Sequence, residues 1–167
     1  MFAAVALMTA CNGNGNNSGS NAASGDSTAQ ATTENAAGAM EIGAKGPGTL
    51  EAAAFSVDVP EGWEVTDKQD KEVSVMAPSG EIFNFVYDEQ SNLAQEKQIK
   101  MEKDGMQDMG EKTFGDNTYA TFVWMDAFSA IMKIGDGTAG TIKVNTTNVK
   151  NADNEMIPAI LGNVKMK

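Results

Sequence analysis

The chain has 167 residues, enough for one domain, and a formal net charge of −11 from 12 lysines and 23 acidic residues. A surface this negative repels phosphate backbones, so the composition argues against nucleic acid as a partner. Histidine and arginine do not occur, and the single cysteine, Cys11, excludes a disulfide within the chain.

Cys11 follows a run of apolar or small residues, Phe2 to Ala10. This run is too short to span a bilayer, which takes about 20 residues, but it has the length of the apolar part of a secretory signal. A metal site requires several Cys or His ligands, and a catalytic thiol requires a nearby base or positive charge. The neighbouring residues are Asn, Gly and Ser. Two interpretations of Cys11 remain: a thiol without a function and a point of covalent attachment. We expect covalent attachment.

Leu7-Met-Thr-Ala-Cys11 resembles the lipobox of bacterial lipoproteins. The resemblance implies that residues 1–10 are a signal segment that is removed, and that the thiol of Cys11 carries a diacylglyceryl group. Two or three acyl chains, such as palmitate, make membrane attachment effectively permanent, whereas one chain anchors only marginally. The Asp that follows the lipid-bearing cysteine in some inner-membrane lipoproteins is replaced here by Asn12. We therefore expect an outer-membrane protein that faces the periplasm.

Residues 11–48 are predicted to be a lipidated, disordered linker. After Cys11 this segment has no aromatic residue, and its only large apolar residues are Met40 and Ile42. Such a composition does not bury enough apolar surface to offset the entropy of folding. A flexible coil of this length has a root-mean-square reach of roughly 30–37 Å. We expect it to carry a globular domain, residues 49–167, away from the membrane.

The domain alternates between apolar and polar residues in the manner of β-strands, with turn residues between the runs. One segment, residues 91–109, loses this alternation and predicts a helix that Ser91 or Asn92 caps. A short closing helix is predicted around Pro158. Strands are predicted at 52–59, 63–65, 72–77, 81–88, 128–134 and 141–149, and a turn at 115–117 separates residues 112–114 from the run 118–128. Hairpin-length turns leave no room for parallel crossovers, so the fold class is α+β with an antiparallel β-sheet.

The stretch Phe55-Ser-Val-Asp-Val-Pro-Glu-Gly-Trp63, with the strand pairs, mid-chain helix and closing helix that follow it, resembles the Mog1/PsbP-like domains. The resemblance implies an α/β/α sandwich, with helices packed on the two faces of the sheet. Most members of this family bind other proteins as accessory factors. The same fold serves unrelated tasks, so it does not assign one here.

Gly135-Asp-Gly-Thr-Ala-Gly140 matches the G-x-G-x-x-G pattern of dinucleotide-binding loops. That site requires a helix N-terminus after the loop, whereas strand-forming residues follow Gly140. We interpret the motif as a hairpin loop and predict no cofactor.

Two further groups could in principle bind metal ions. Met101, Met106 and Met109 offer thioethers for a soft ion, but Met more often fills gaps in packing. A crowd of carboxylates between residues 58 and 72 offers oxygens for calcium, but it lacks a calcium-loop pattern. The members are Asp58, Glu61, Glu64, Asp67, Asp70 and Glu72. We interpret the carboxylates as a solvated acidic face and predict no metal site.

Without histidine or arginine, acid–base chemistry would depend on Asp, Glu, Tyr or Lys alone, and we predict no catalytic residues. Two functions remain. The first is a membrane-anchored, non-enzymatic module that binds an envelope protein; the second is a carrier of a small apolar ligand between sheet and helix. Trp63 and Trp124 are the candidate contact residues. Trp63 lies beside a turn and is expected to be the more exposed of the two.

Overall fold

The computed structural model describes residues 39–150 and 153–167. These residues form two antiparallel sheets and two short helices, which confirms the α+β class. Cys11, the signal segment 1–10 and most of the predicted linker lie outside the described residues. Among the residues described, no helix is long and apolar enough to cross a membrane.

The larger sheet has seven strands in the order β3-β4-β5-β9-β8-β7-β6. Every neighbouring pair is antiparallel, as the short turns predicted. The strands are β3 (Glu64–Lys68), β4 (Glu72–Met76), β5 (Ile82–Asp88), β6 (Gln107–Phe114), β7 (Asn117–Trp124), β8 (Ala127–Lys133) and β9 (Thr141–Lys150). The edge strands are β3 and β6.

The smaller sheet has the order β1-β2-β10. Its strands are β1 (Gly48–Glu51), β2 (Phe55–Val59) and β10 (Val164–Met166). The sequence predicted β2 but neither of its partners. Val164 lies opposite Val57, so pairing with β2 gives the C-terminal residues a strand conformation. The closing helix, α2 (Met156–Leu161), is correspondingly short.

The mid-chain helix, α1 (Leu93–Met101), begins where it was predicted, because the side chain of Asn92 accepts a 3.0 Å hydrogen bond from the backbone N–H of Gln95. The predicted end at residue 109 is wrong. Gly105 has φ +78°, a conformation that breaks the helix, and β6 begins at Gln107. Pairing with β7 therefore overrides the helix propensity of residues 107–109.

The two helices cover opposite faces of the larger sheet. Successive residues of a strand point to opposite faces, and Tyr119 belongs to the main core whereas Ala120 belongs to a second, smaller one. The main core joins this sheet to the smaller sheet and α2, which buries Ile160 and Leu161. The second core lies under α1 and contains Leu93, Ala120, Phe122 and Ile131.

The folded domain begins earlier than the predicted boundary at residue 49. Met40 is only 7% exposed and packs into the main core. Residues 43–46 lie along the outer edge of β3: the N–H of Gly43 donates to the carbonyl of Val65, and the N–H of Val65 donates to the carbonyl of Ala44. The linker prediction is therefore wrong for residues 40–48, because backbone pairing orders a segment that its composition left unassigned.

Candidate protein-interaction surface

Trp63 is buried, with 4% of its surface exposed, so the expectation that it is the more exposed tryptophan is wrong. Its ring packs against Phe83 at a centroid distance of 5.6 Å, and its carbonyl accepts a hydrogen bond from the N–H of Gly46. The segment before β1 covers this side of β3, a contact that the linker prediction did not include. Trp63 is a core residue and has no surface to offer a partner.

Trp124 lies half-buried at the end of β7, on the same face of the sheet as α1. The ammonium group of Lys103 lies 3.3 Å from the centroid of its ring, and its indole N–H donates to the carbonyl of Asp104 at 2.9 Å. Both partners belong to the connection between α1 and β6. These two contacts hold that connection against the end of the β7–β8 hairpin.

The hairpin turn next to Trp124 has an unusual backbone. Met125 has φ +46° and Asp126 has φ +70°, the left-handed conformations of a two-residue type I′ turn. Such turns favour Asn-Gly, because a side chain like that of Met is strained at positive φ. Met125 is nonetheless 79% exposed, which places a large apolar side chain at the tip of the hairpin. This turn was not predicted from the sequence, because the run 118–128 has neither glycine nor asparagine at positions 125 and 126.

Four of the six large apolar side chains exposed in the described part of the chain lie on the segments that meet at Trp124. Residue 107 of β6 pairs with residue 123 of β7, and Lys103 contacts Trp124, so the end of α1, the start of β6 and the β7–β8 turn meet here. We call this surface the Trp124 corner. It consists of Ile99 (59% exposed), Met101 (47%), Lys103, Met109 (42%), Trp124 and Met125. Apolar groups that cluster in this way mark interaction sites more often than scattered ones do.

The three methionines, for which we expected core or shallow surface packing, lie in two different environments. Met106 packs against the second core, whereas Met101 and Met109 are exposed at the Trp124 corner. Their thioethers are flexible and polarizable, which suits them to contacts with an adaptable partner surface.

Charged groups seat α1 on the sheet beside this corner. Glu96 is 7% exposed and accepts a 3.1 Å hydrogen bond from the ammonium group of Lys143, which also donates to Asp88 at 3.3 Å. Lys100 donates to the side-chain carbonyl of Asn145 at 3.3 Å. Burial against the sheet lowers the pKa of Lys100, because desolvation disfavours its charged form. These contacts fix the last turns of α1, and with them the position of Ile99 and Met101.

The glycine-rich loop at 135–140 is a hairpin connection, as interpreted. It leads directly into β9, and Gly135, Gly137 and Gly140 all have positive φ. Asp136 accepts hydrogen bonds from the backbone and the hydroxyl of Thr138. The loop therefore has no helix N-terminus for a phosphate.

The acidic residues between 58 and 72 are spread over several elements. Asp58 pairs with Lys165, and the hydrogen bond from that lysine lowers the pKa of the carboxyl. Glu72 accepts a 2.7 Å hydrogen bond from the side chain of Asn84. Within residues 39–150 and 153–167, no three His, Cys, Asp or Glu side chains are placed to hold a metal ion.

A surface cavity of about 230 Å³ lies at the side of the domain away from the Trp124 corner. Its charged walls are already engaged, since Lys68 lies 2.7 Å from Glu41 and Glu51 pairs with Lys167. The lining residues are Glu41, Glu51, Ala52, Ala53, Lys68, Gln69 and Asp70. None of these residues belongs to a helix, so this polar cavity is not the ligand site between sheet and helix that the carrier hypothesis requires.

Comparisons with known proteins give no match for the chain among family models, curated proteins or solved structures. The candidate site therefore rests on the geometry of the Trp124 corner alone.

Proposed function

We propose that this protein is a lipid-anchored, non-enzymatic module of the bacterial cell envelope that binds another envelope protein through the Trp124 corner. The anchor is the lipid on Cys11, and the expected location is the outer membrane, facing the periplasm. The lipobox-like Leu7-Met-Thr-Ala-Cys11 supports the anchor. The finer fold assignment, a Mog1/PsbP-like domain, is part of the proposal and is supported by helices on both faces of an antiparallel sheet.

One observation carries the binding function: the three segments that meet at Trp124 each carry exposed large apolar side chains. Exposed Met and half-buried Trp side chains are typical of the anchor residues at protein interfaces. The strained turn at Met125 adds to this argument. A residue kept at positive φ without glycine costs free energy, and such strain tends to persist where a side chain has a task.

The shifted pKa values of Asp58 and Tyr119 are not evidence for catalysis. The lowered pKa of Asp58 and the raised pKa of Tyr119 have structural causes, an ion pair with Lys165 and burial in the core. Neither group lies at the Trp124 corner. The carrier hypothesis has weaker support, since the side chains between sheet and helices, such as Phe122 and Ile131, are fully buried against one another.

Two experiments test the two parts of this proposal. For the anchor, Cys11→Ser is expected to move the protein from the membrane fraction to the soluble fraction, and mass spectrometry of the native protein is expected to find lipid on Cys11. Cys11 unmodified, with residues 1–10 still attached, would overturn the anchor.

For binding, a photo-crosslinking amino acid replaces Met125 in living cells. The matched control is the same substitution at Ile42, which is 60% exposed but lies in the segment leading to the other edge of the sheet. We expect a discrete crosslinked product from position 125 and none of the same mass from position 42. Equal products from both positions, or none from position 125, would contradict a partner at the Trp124 corner.

A further inference from the structure

We propose that the open edge of β6 binds an extended, basic segment of the partner protein as an additional antiparallel strand, next to the Trp124 corner. The inference rests on the proposed binding function but not on the lipid anchor. It specifies how the partner is recognised: by backbone hydrogen bonds along β6 and by positive side chains on the side of the sheet that α1 covers.

The two edges of the seven-stranded sheet differ in whether another segment of the chain pairs with them. The outer edge of β3 is covered by residues 43–46 of the same chain, which pair with it through backbone hydrogen bonds of 2.8 to 2.9 Å. No strand lies beyond β6 in the part of the chain that the structure describes. This eight-residue edge has no proline, and an edge strand presents outward-facing N–H and C=O groups to which a further strand can add. The backbone of Gly110 is already engaged, since its N–H donates to Asp108 and its carbonyl accepts from the Thr121 hydroxyl, so the open groups lie beyond it, toward Phe114.

A β-bulge limits the part of β6 that another strand can follow. The register with β7 shifts between Asp108 and Gly110, so Met109 is the extra residue, and Gly110 has φ +81°. Residues 110–114 pair with β7 in unbroken register. Met109, whose side chain is exposed, marks the end of this part of β6.

The charges on the regular part of β6 disfavour a second copy of this chain. Two copies joined in one antiparallel sheet are related by a two-fold axis through a residue that opposes itself. Centring the axis on Glu111 or Lys112 places identical charges directly opposite each other, which destabilises the pair. Centring it on Thr113 leaves only residues 112–114 to pair, and centring it on Gly110 places the bulge in the interface.

The same charges favour a basic segment from another protein. Asp108 lies opposite Phe122 of β7 and Glu111 lies opposite Ala120, so both carboxylates are on the face that carries α1. Asp104 and Asp126 add negative charge at the end of the sheet, and the whole chain carries −11. A strand with lysines at alternate positions would place them across from Glu111 and close to Asp108.

The test measures binding of short synthetic peptides to the full-length protein by fluorescence anisotropy. The probes are an eight-residue peptide of alternating Lys and Val, the matching Glu and Val peptide, and the Lys and Val peptide with alternate backbone nitrogens methylated. We expect the Lys and Val peptide to bind about fivefold or more tightly than either of the others, because one loses the charge pairs and the other the backbone donors. Amide hydrogen exchange is expected to slow in residues 110–114 on binding.

Two charge reversals separate the β6 edge from the general acidity of the protein. Glu111→Lys should weaken binding of the Lys and Val peptide by about fivefold or more, whereas Glu61→Lys, at an exposed turn of the smaller sheet, should change it by less than about twofold. Equal losses from both variants, or equal binding of the methylated peptide, would overturn strand addition at β6. A concentration-dependent dimer that slows amide exchange in residues 110–114 would overturn it as well. If Met125 still crosslinks a partner in either case, the proposed binding function stands and only the strand mode fails.

Discussion

The ammonium group of Lys103 lies 3.3 Å from the centroid of the Trp124 ring, at the point where the connection from α1 meets the β7–β8 hairpin. Asp104 lies in the same connection, and its carbonyl accepts a hydrogen bond from the indole N–H of Trp124. The indole N–H and the π-face of Trp124 therefore both contact residues of its own chain. Trp124 ties the connection between α1 and β6 to the β7–β8 hairpin, and Met101, Met109 and Met125 lie on or beside these segments.

Replacing Lys103 tests this arrangement. Lys103→Gln should cost about 0.5–1 kcal/mol of stability, the range for an exposed cation–π contact. It should also increase quenching of tryptophan fluorescence by acrylamide, because the other tryptophan, Trp63, is buried and contributes little. Lys97→Gln, which removes a charge from the same helix, is the control. Equal quenching in the two variants would show that Lys103 does not shield the ring.

The strained hairpin turn gives a prediction in which stability and binding change in opposite directions. Asparagine adopts positive φ with less strain than methionine, so Met125→Asn should raise the free energy of unfolding by roughly 0.5–1 kcal/mol. The same variant should weaken partner binding, since it removes the most exposed apolar side chain of the corner. Urea denaturation and the crosslinking yield from a probe at Met109 measure the two effects. A variant that is stabilised but keeps the full yield would remove Met125 from the interface.

The strand order could not be read from the sequence, although most strands could. Alternation of apolar and polar residues identified β2 and β4, bulky apolar residues identified β5 and β8, and β-branched residues identified β9. β6 was missed in its first half, since its residues are exposed on both faces and only pairing with β7 makes them a strand. β1 and β10 are too short to show a period, and their conformation depends on distant partners in β2.

Only part of the candidate site could be predicted from the sequence. The sequence identifies Trp124 as a candidate contact residue, but it does not show that Trp63 is buried. Trp63 packs against Phe83, and its carbonyl bonds to Gly46 in a segment with the composition of a linker. Nothing local to Met101, Met109 or Met125 indicates that they share a surface. That requires the α1–β6 connection to fold back over the end of β7, a long-range contact that periodicity does not encode.

The N-terminal boundary can be tested with two fragments. The fragment 39–167 should fold with nearly the stability of the full-length protein, whereas 49–167 should be less stable by several kcal/mol. The shorter fragment loses the buried side chain of Met40, for which about 2–5 kcal/mol is typical, and it exposes the edge of β3. Thermal denaturation and sedimentation measure stability and aggregation. Equal stability of the two fragments would show that residues 40–48 do not contribute to the folded domain.

The buried pair under α1 predicts how firmly the helix is held. Glu96→Ala leaves the ammonium group of Lys143 with Asp88 alone, so it should cost about 1–3 kcal/mol, less than for a fully buried pair because the Lys143 side chain is 25% exposed. Hydrogen exchange should accelerate in α1 and not in β4. Glu102→Ala, an exposed acid just after the same helix, should change neither quantity.

Tyr119 connects the large sheet to α2 through one buried hydrogen bond, and it predicts a dependence of stability on pH. Its hydroxyl donates to the carbonyl of Leu161 at 2.8 Å, so Tyr119→Phe should cost about 1 kcal/mol at neutral pH. Burial raises the pKa of the phenol in the folded protein above its usual value of 10.0. Above that pH the unfolded chain gives up a proton that the folded protein retains, so the contribution of Tyr119 is complete below pH 10 and is lost as the pH rises further. Urea denaturation at about pH 8 and about pH 11 should show the advantage of the wild-type protein over Tyr119→Phe shrinking or reversing. Because Tyr87 and all the lysines are shared by both proteins, an advantage that stayed constant across this range would mean that the Tyr119 hydroxyl titrates in the folded protein as it does in the unfolded chain.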